Sequence, residues 1–538
     1  MTPRAVVVGG GVAGLASAAL LAREGYDVEL VEQRDTVGGR AATWRHAGFT
    51  FDLGPSWYLM PEVFDHFFRL CGTTADAELD LVTLDPAYRV LFEADPDRPG
   101  GPTSVDVRTG RAHDAFDELE PGSVSRLTAH LRSARATYDL ALRHFLYSTF
   151  ASGATRSLLT PRLLRHVPRL VGLLTTSLER FVARRFDDPR ARQVLGYPAV
   201  FLGTSPERAP ALYHLMSHTD LVDGVRYPRG GFGTVVDALV RVATRAGVRV
   251  RTGARVTAVL TSDTAEDARA RRRPRVVGVQ LADGEVLPAD VVVGAGDLHD
   301  LETRLLPPHL QTYPERWWAR RDPGPGAVLV HLGVRGRVPE LTHHTLVFMR
   351  DWRANFDAVL GPDPRVPDPA SFYVCAPSRT DPGVAPGGHE NLFLLVPVPA
   401  DPAIGHGGLD GAGDETVERV ADAAIATLAD WAGISDLADR VAVRRTVGPA
   451  DFATDLSAWR GGALGPAHTL RQSAFLRGSN ASRRVAGLLY AGGSTTPGIG
   501  LPMCLISAEL VVKRLRGDTS SAPLPEALAS ADPARVRP

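Results

Sequence analysis

A glycine triplet spaced G-x-G-x-x-G sits at the very start of the chain, in Val6-Val7-Val8-Gly9-Gly10-Gly11-Val12-Ala13-Gly14. Ala5–Val8 is a short β-branched run, and Val12–Glu24 reads as a helix that is apolar nearly all round, so both must be buried. Gly25 stops the helix, and Val28–Glu32 is the next strand. The segment is a β-α-β unit. The first glycine makes the tight turn, the second lets a pyrophosphate approach the backbone, and the third lets helix and strand pack closely. The helix N-terminus then faces the phosphate charge. Glu32 ends the second strand 18 residues after Gly14, where a carboxylate can accept from both ribose hydroxyls.

Gly38-Gly39-Arg40 selects FAD over NAD. A second glycine pair soon after the ribose-binding acid lets more backbone approach an extended dinucleotide, and Arg40 supplies a permanent cation for the pyrophosphate. Asp52-Leu53-Gly54-Pro55 and Leu488-Leu489-Tyr490-Ala491-Gly492-Gly493 extend the pattern. After Thr496-Pro497-Gly498-Ile499-Gly500 comes the helical run Leu501–Leu515, with Pro502 near its start. The positive end of that helix would face the pyrimidine side of an isoalloxazine.

Taken together these motifs resemble the flavin-dependent carotenoid desaturases, specifically the bacterial phytoene desaturase family. The resemblance covers nearly the whole chain. It is carried by the N-terminus through Glu32-Gln33-Arg34-Asp35, by Gly38-Gly39-Arg40-Ala41 and by Gly48-Phe49-Thr50-Phe51-Asp52-Leu53-Gly54-Pro55. Tyr227-Pro228-Arg229-Gly230-Gly231 and Pro497-Gly498-Ile499-Gly500-Leu501-Pro502 are its more specific parts, and Ser56-Trp57-Tyr58-Leu59-Met60-Pro61 looks like the actinobacterial branch. The resemblance implies an α/β fold: a Rossmann-like FAD-binding domain, a mixed-sheet substrate domain and a helical, membrane-facing insertion. It implies non-covalent FAD, hydride transfer from a saturated carbon to flavin N5, and proton loss from the neighbouring carbon. The substrate class is a long isoprenoid polyene, typically phytoene taken towards lycopene, with oxygen or a quinone as electron acceptor. Carried over residue by residue, the FAD-binding set is Gly9, Gly11, Val12, Ala13, Gly14, Glu32, Gln33, Gly38, Gly39, Arg40, Gly54, Pro55, Val256, Gly492, Gly493, Gly500, Pro502 and Met503. No spacing identifies a catalytic base.

The 538 residues suggest about three domains. We divide them into FAD-binding parts at 1–80, 224–299 and 478–517, a helical substrate- and membrane-facing region at 81–223, a substrate domain at 300–477 and a disordered tail at 518–538. Within the central FAD-binding part, Thr234–Ala246 reads as a helix, and Val276–Leu281 and Glu285–Leu287 as a hairpin about Asp283-Gly284. Ser262–Arg275, with Arg271-Arg272-Arg273, reads as an exposed loop. The 60 basic and 61 acidic residues give a net charge of −1, which argues against nucleic acid as a partner. Cys71, Cys375 and Cys504 are odd in number and far apart, which points to a reducing, cytoplasmic setting without disulfides or a zinc site. His343-His344 is expected to point to opposite faces of a strand, structural or solvent-exposed, and no metal is assigned. Asn480-Ala481-Ser482 is a glycosylation sequon by pattern only.

Leu163, Val167, Leu170, Val171, Leu174, Leu178, Phe181 and Val182 recur at helical spacing beside an arginine-rich flank. This suits an amphipathic helix from Arg169 to Phe186 on the inner face of the cell membrane, or equally one packed on the core. Trp57, Tyr58, Phe64, Phe67 and Phe68 either line a tunnel or, for most of the Phe residues, belong to the core. Competing readings of the motifs are a carotenoid oxygenase, ketolase or isomerase, an amine oxidase, and a non-enzymatic prenyl-protein carrier of the Rab GDP dissociation inhibitor type. Many amine oxidases place a lysine near the flavin, and the only lysine here is Lys513, beyond the start of the flavin-side helix.

Overall fold

The β-branched run at the N-terminus alternates its faces. Ala5 and Val7 pack towards helices, while Val6 packs towards a separate β-sheet. In the computed structural model, which describes residues 2–96, 103–151, 166–262 and 273–528, this run is strand β1 (Arg4–Val8), followed by helix α1 (Val12–Arg23) and strand β2 (Asp27–Val31). A five-stranded parallel sheet forms around β1, in the order Leu488–Tyr490, Val291–Gly294, β1, β2, Arg249–Arg251. Helices Gly233–Arg245 and Leu501–Arg516 pack on α1 over one face. A three-stranded antiparallel sheet of Val256–Thr261, Val276–Leu281 and Val286–Pro288 shares the other face's apolar cluster. Its hairpin turns at Asp283-Gly284, with Gly284 at φ +91°.

A second, seven-stranded sheet runs in the order Val441–Val447, Pro325–Val334, Glu390–Pro399, Phe372–Cys375, His344–Phe348, Tyr88–Phe92, Ser104–Val107. All its pairings are antiparallel except that of His344–Phe348 with Tyr88–Phe92. Pro325–Val334 is buried at every position. Val328, Val330 and Leu332 pack under helix Glu415–Ala432, while Leu329 points the other way, towards a cavity. The region read as helical thus contributes two strands, Tyr88–Phe92 and Ser104–Val107, to this sheet before its helices begin at Ala112.

The stripe over Arg169–Phe186 is not one helix. Val167–Thr175 and Leu178–Ala183 are separate, with Thr176 extended between them. The break has two causes. Ser177 caps the second helix by accepting from the Arg180 N–H at 3.3 Å, and the backbone there pairs with 209–211 through Leu178 N–H to Ala209 O and Ala211 N–H to Thr176 O. Leu163, Arg271, Arg272 and the chain beyond 528 lie outside the described residues.

The expectation of a disordered tail from 518 fails over 518–528. Leu524 and Leu528 are 3% exposed and belong to the same apolar cluster as α1. Lys513 Nζ donates to the carbonyls of Ser520 and Ala522, and His66 bridges Glu509 and Glu526 at 3.0 and 2.8 Å. The Ser/Pro/Ala-rich composition hid two leucines four residues apart that plug the core. Leu524→Ala is expected to destabilise the protein by roughly 2–5 kcal/mol, as for other buried leucines. Thermal unfolding checks this, and an unchanged midpoint would mean that the tail contributes no packing.

Candidate active site

At the end of β1 the chain turns so sharply that a Cβ on Gly14 would overlap the Gly9 carbonyl oxygen. Gly9 takes φ +108°, and a Cβ there would press on Ala295 at 3.1 Å. These two glycines are what let α1 start directly off the strand. A Cβ on Gly11 would meet nothing within 4 Å, so the surface in front of it is open. Gly11 is also the N-cap of α1, with no side-chain cap and no acidic residue in the first turn. The helix therefore presents unpaired N–H groups and partial positive charge to whatever occupies that space.

Gly38 and Gly39 both have positive φ, and the Gly38 N–H donates to Gly10 O at 2.9 Å. This lays the second glycine pair against the first. Arg40 Nε donates to Ala463 O at 2.8 Å, so its guanidinium is held by carbonyl groups that do not neutralise it. A Cβ on Gly54 would meet Arg40 O at 2.5 Å, which brings Gly54-Pro55 into the same wall. Glu32 is 7% exposed and accepts from the N–H of Gly10 (2.6 Å) and of Arg34 (3.0 Å). Those two bonds orient the carboxylate and leave further lone pairs for a ligand. Ala254 N–H donates to Glu32 O at 2.8 Å and sets Val256 beside it. On the far side, helix Leu501–Arg516 begins at Gly500 (φ +117°) without a side-chain cap, and Gly492 N–H is held by Ser507 Oγ at 3.0 Å.

These pieces line one cavity of about 1150 Å³. Of the residues singled out from the sequence, Gly9, Gly11, Val12, Ala13, Glu32, Gln33, Gly38, Gly39, Arg40, Gly54, Pro55, Val256, Gly492, Gly493, Gly500, Pro502 and Met503 all lie on its wall. Gly14 does not; its place is behind, in the helix–strand contact. The residues fit a dinucleotide. Gly11 and Gly296 face open space, two uncapped helix N-termini meet the same cavity, and a buried carboxylate sits at one end.

The same cavity continues into an apolar half that sequence reasoning missed. Leu140, Phe145, Leu146, Leu212, Leu215 and Met216 line it, together with Leu329, Tyr373 and Leu395 of the seven-stranded sheet. Helical periodicity cannot distinguish a side chain facing a tunnel from one facing the core. Trp57 and Leu59 are on the wall, whereas Tyr58, Phe64, Phe67 and Phe68 are core.

Three further expectations are settled by burial. His343 and His344 are not exposed, being 4% and 0% accessible, with ring centroids 4.5 Å apart. His343 precedes the first residue of its strand, so strict alternation does not apply. One nitrogen of each ring and Cys375 Sγ lie within 4.8 Å of one another, and burial pushes the His343 imidazole down to about 3. Asn480 is fully buried, donating to the carbonyls of Tyr490 and Thr496. Lys513 is buried under carbonyl groups, including Tyr147 O at 2.8 Å, and does not line the cavity, so the lysine arrangement of an amine oxidase is absent.

This sheet, with its two uncapped helix ends and its carboxylate, defines a flavin dinucleotide oxidoreductase. The family of flavin containing amine oxidoreductases matches over residues 12–516. The chain is 38% identical to a carotenoid 3,4-desaturase of Haloarcula japonica, covering 95% of this chain and 98% of that protein. It is 37% identical to a zeta-carotene-forming phytoene desaturase of Myxococcus xanthus, over 95% and 93%. Its fold matches that of an oxidoreductase from Methanosarcina mazei with a TM-score of 0.61 at 14% identity, covering 95% of this chain and all of that one. The chain belongs to the flavin-containing amine oxidoreductases, and within them to the family of its carotenoid- and phytoene-desaturase relatives. Its cofactor is FAD, the flavin whose dinucleotide the cavity fits.

Two glycines separate folding from binding. Gly11→Ala is expected to fold but purify without FAD, because the added methyl enters the cavity, whereas Gly14→Ala is expected to fold poorly because it meets backbone. Circular dichroism and the flavin absorption of each purified variant check this. Glu32→Ala removes charge-assisted bonds worth about 1.5–3 kcal/mol each and is expected to lose most of its flavin. Stoichiometric FAD at unchanged affinity would rule out the ribose assignment.

Proposed function

We propose that the chain desaturates a long acyclic carotenoid, with phytoene carried towards lycopene as the first substrate to test. One observation carries this reading: the dinucleotide site and the apolar tunnel are a single cavity, so a polyene can reach the flavin lengthwise without leaving protein. The names of the two bacterial and archaeal relatives support it. Bound FAD supplies the hydride acceptor, re-oxidised by oxygen or a quinone. The chain's own residues do the rest. Leu329, Leu395 and Trp57 hold the polyene and exclude water, and the uncapped start of helix Leu501–Arg516 favours negative charge on the group beside it. The holoenzyme with phytoene in liposomes is expected to give products with more conjugated double bonds. Oxygenated products would instead indicate an oxygenase or ketolase, geometric isomers alone an isomerase, and no reaction with any acyclic carotenoid a carrier.

We further propose that the protein attaches peripherally to the bilayer at the tunnel mouth, on the reducing, cytoplasmic side that its three unpaired cysteines suit. Among the described residues no helix is long and apolar enough to cross a membrane. Leu178 and Phe181, which the sequence pattern put into lipid, are 1% and 9% exposed and packed inward, with the Arg185 guanidinium 3.8 Å over the Phe181 ring. A different set supports the reading. Val167, Val171 and Leu174 on one helix and Leu470, Phe475 and Leu476 from a distant loop are exposed, and all line the cavity. Large apolar groups that are both on a tunnel wall and in solvent mark its mouth, and their cost in water is relieved by an acyl boundary. Arg180 and Arg184, on the helix that follows, and Arg471, in the loop, are exposed and suit anionic headgroups. Val171→Asp/Phe475→Asp is expected to keep its FAD and lose most of its binding to anionic liposomes. Wild-type binding by this variant would place the contact elsewhere.

A further inference from the structure

Among the described residues, two hydrogen-bonded chains leave the cavity wall through a histidine. The first is closed. Ile499 N–H donates to His468 Nε2 at 3.2 Å, so that nitrogen is bare and the ring proton sits on Nδ1, which donates to Tyr213 Oη at 2.8 Å. Tyr213 donates to Ser473 Oγ at 2.9 Å, and Ser473 to the Thr469 carbonyl at 2.8 Å. A backbone N–H fixes the direction of every bond, and a further proton would have to break one.

The second chain is open. Ser56 and Tyr373 both line the cavity, with Ser56 Oγ and Tyr373 Oη 2.7 Å apart, and Tyr373 Oη is 2.7 Å from His344 Nδ1. His344 Nε2 is buried without a hydrogen-bond partner, and no backbone donor holds Nδ1. Burial, and then His343 beside it, keep the His344 ring neutral. The Trp57 ring lies on it at 4.6 Å and 12°, between the imidazole and the cavity. Ser56 is two residues from Gly54, so the chain begins at the flavin end of the cavity wall.

We propose that Ser56, Tyr373 and His344 take up the proton released when the double bond forms, an inference that rests on the desaturation reading above. Once hydride has left the neighbouring carbon, the adjacent C–H bond breaks and its electron pair becomes the second bond of the new alkene. The proton adds to Ser56 Oγ, the Ser56 proton passes to Tyr373 Oη, and the Tyr373 proton passes to His344 Nδ1. A weak oxygen base suffices because a carbon beside an electron-deficient centre is strongly acidic. The buried imidazolium is costly, so the proton returns along the same path to water once product has left.

The test uses holoenzyme with phytoene-loaded liposomes, wild type against Tyr373→Phe and Ser56→Ala, with double-bond formation followed in a single turnover in H₂O and in D₂O. FAD content and carotenoid binding are measured alongside. Tyr373→Phe is expected to bind both as wild type does. Its double-bond formation is expected to slow by about 10²–10⁴-fold, the usual contribution of general acid–base catalysis. It should also lose the solvent isotope effect that relayed O–H protons give the wild type. Tyr138 lies on the same cavity wall but donates to Glu62 instead, so it serves as the control. A Tyr373→Phe protein that keeps wild-type rate and isotope effect overturns the relay, as does an isotope effect lost in Tyr138→Phe but kept in Tyr373→Phe. If Tyr373→Phe does not fold, Ser56→Ala decides by the same two readouts. A wild type that desaturates no acyclic carotenoid overturns the desaturation reading itself, a result distinct from failure of the relay.

Discussion

The contact of Gly14 with the Gly9 carbonyl is the constraint on which the rest depends. It lets α1 rise directly from β1, which aims an uncapped helix N-terminus at the open space before Gly11. That space is useful only because Gly38-Gly39 folds back on Gly10 and Gly54 is pressed onto Arg40. Each of these approaches excludes a side chain, so the phosphate end of the cavity is made almost wholly of backbone. Backbone N–H groups and helix ends recognise an anion through fixed dipoles that need no reorganisation.

The other half of the cavity obeys opposite physics. It lies between the seven-stranded sheet and the helices of the 112–221 region, and its wall is leucine, phenylalanine and methionine with few polar groups. A long hydrocarbon is held there by area removed from water rather than by directed bonds. Against that background Ser56 and Tyr373 stand out, because two hydroxyls hydrogen-bonded to a buried neutral imidazole have no structural need to face a greasy tunnel. Where the tunnel meets solvent, the exposed rim of Val171 and Phe475 would extend the same apolar surface into a bilayer.

Much of this was legible in the sequence. The glycines, Glu32 and the two strand-to-helix turns are local signals, each fixed by neighbours a few residues away, and all but Gly14 of the residues they singled out lie on one cavity. Gly14 acts behind the wall, as its position third in the motif implies. What was not legible depends on contacts distant in sequence. The helical stripe at 169–186 carries the right period but breaks at Thr176, because its backbone pairs with 209–211. Its second half therefore packs inward, and the mouth draws Leu470, Phe475 and Leu476 from a loop with no amphipathic pattern. The tail misled for a related reason, since composition outweighed two leucines that find their partners near α1. Tyr373 gave no motif and His344 only its pairing with His343, because the relation of Tyr373 to His344 is a register across two strands rather than a spacing along one.

On the proposed reaction, electrons pass from the polyene to the flavin inside a single continuous cavity. The most direct test of this is anaerobic mixing of the oxidised holoenzyme with phytoene in liposomes, with flavin and polyene absorption followed together. Bleaching of the flavin band as conjugated product appears, mole for mole and without oxygen, is the expected result. Product that forms while the flavin stays oxidised, or that forms only as oxygenated carotenoid once oxygen is admitted, would contradict it.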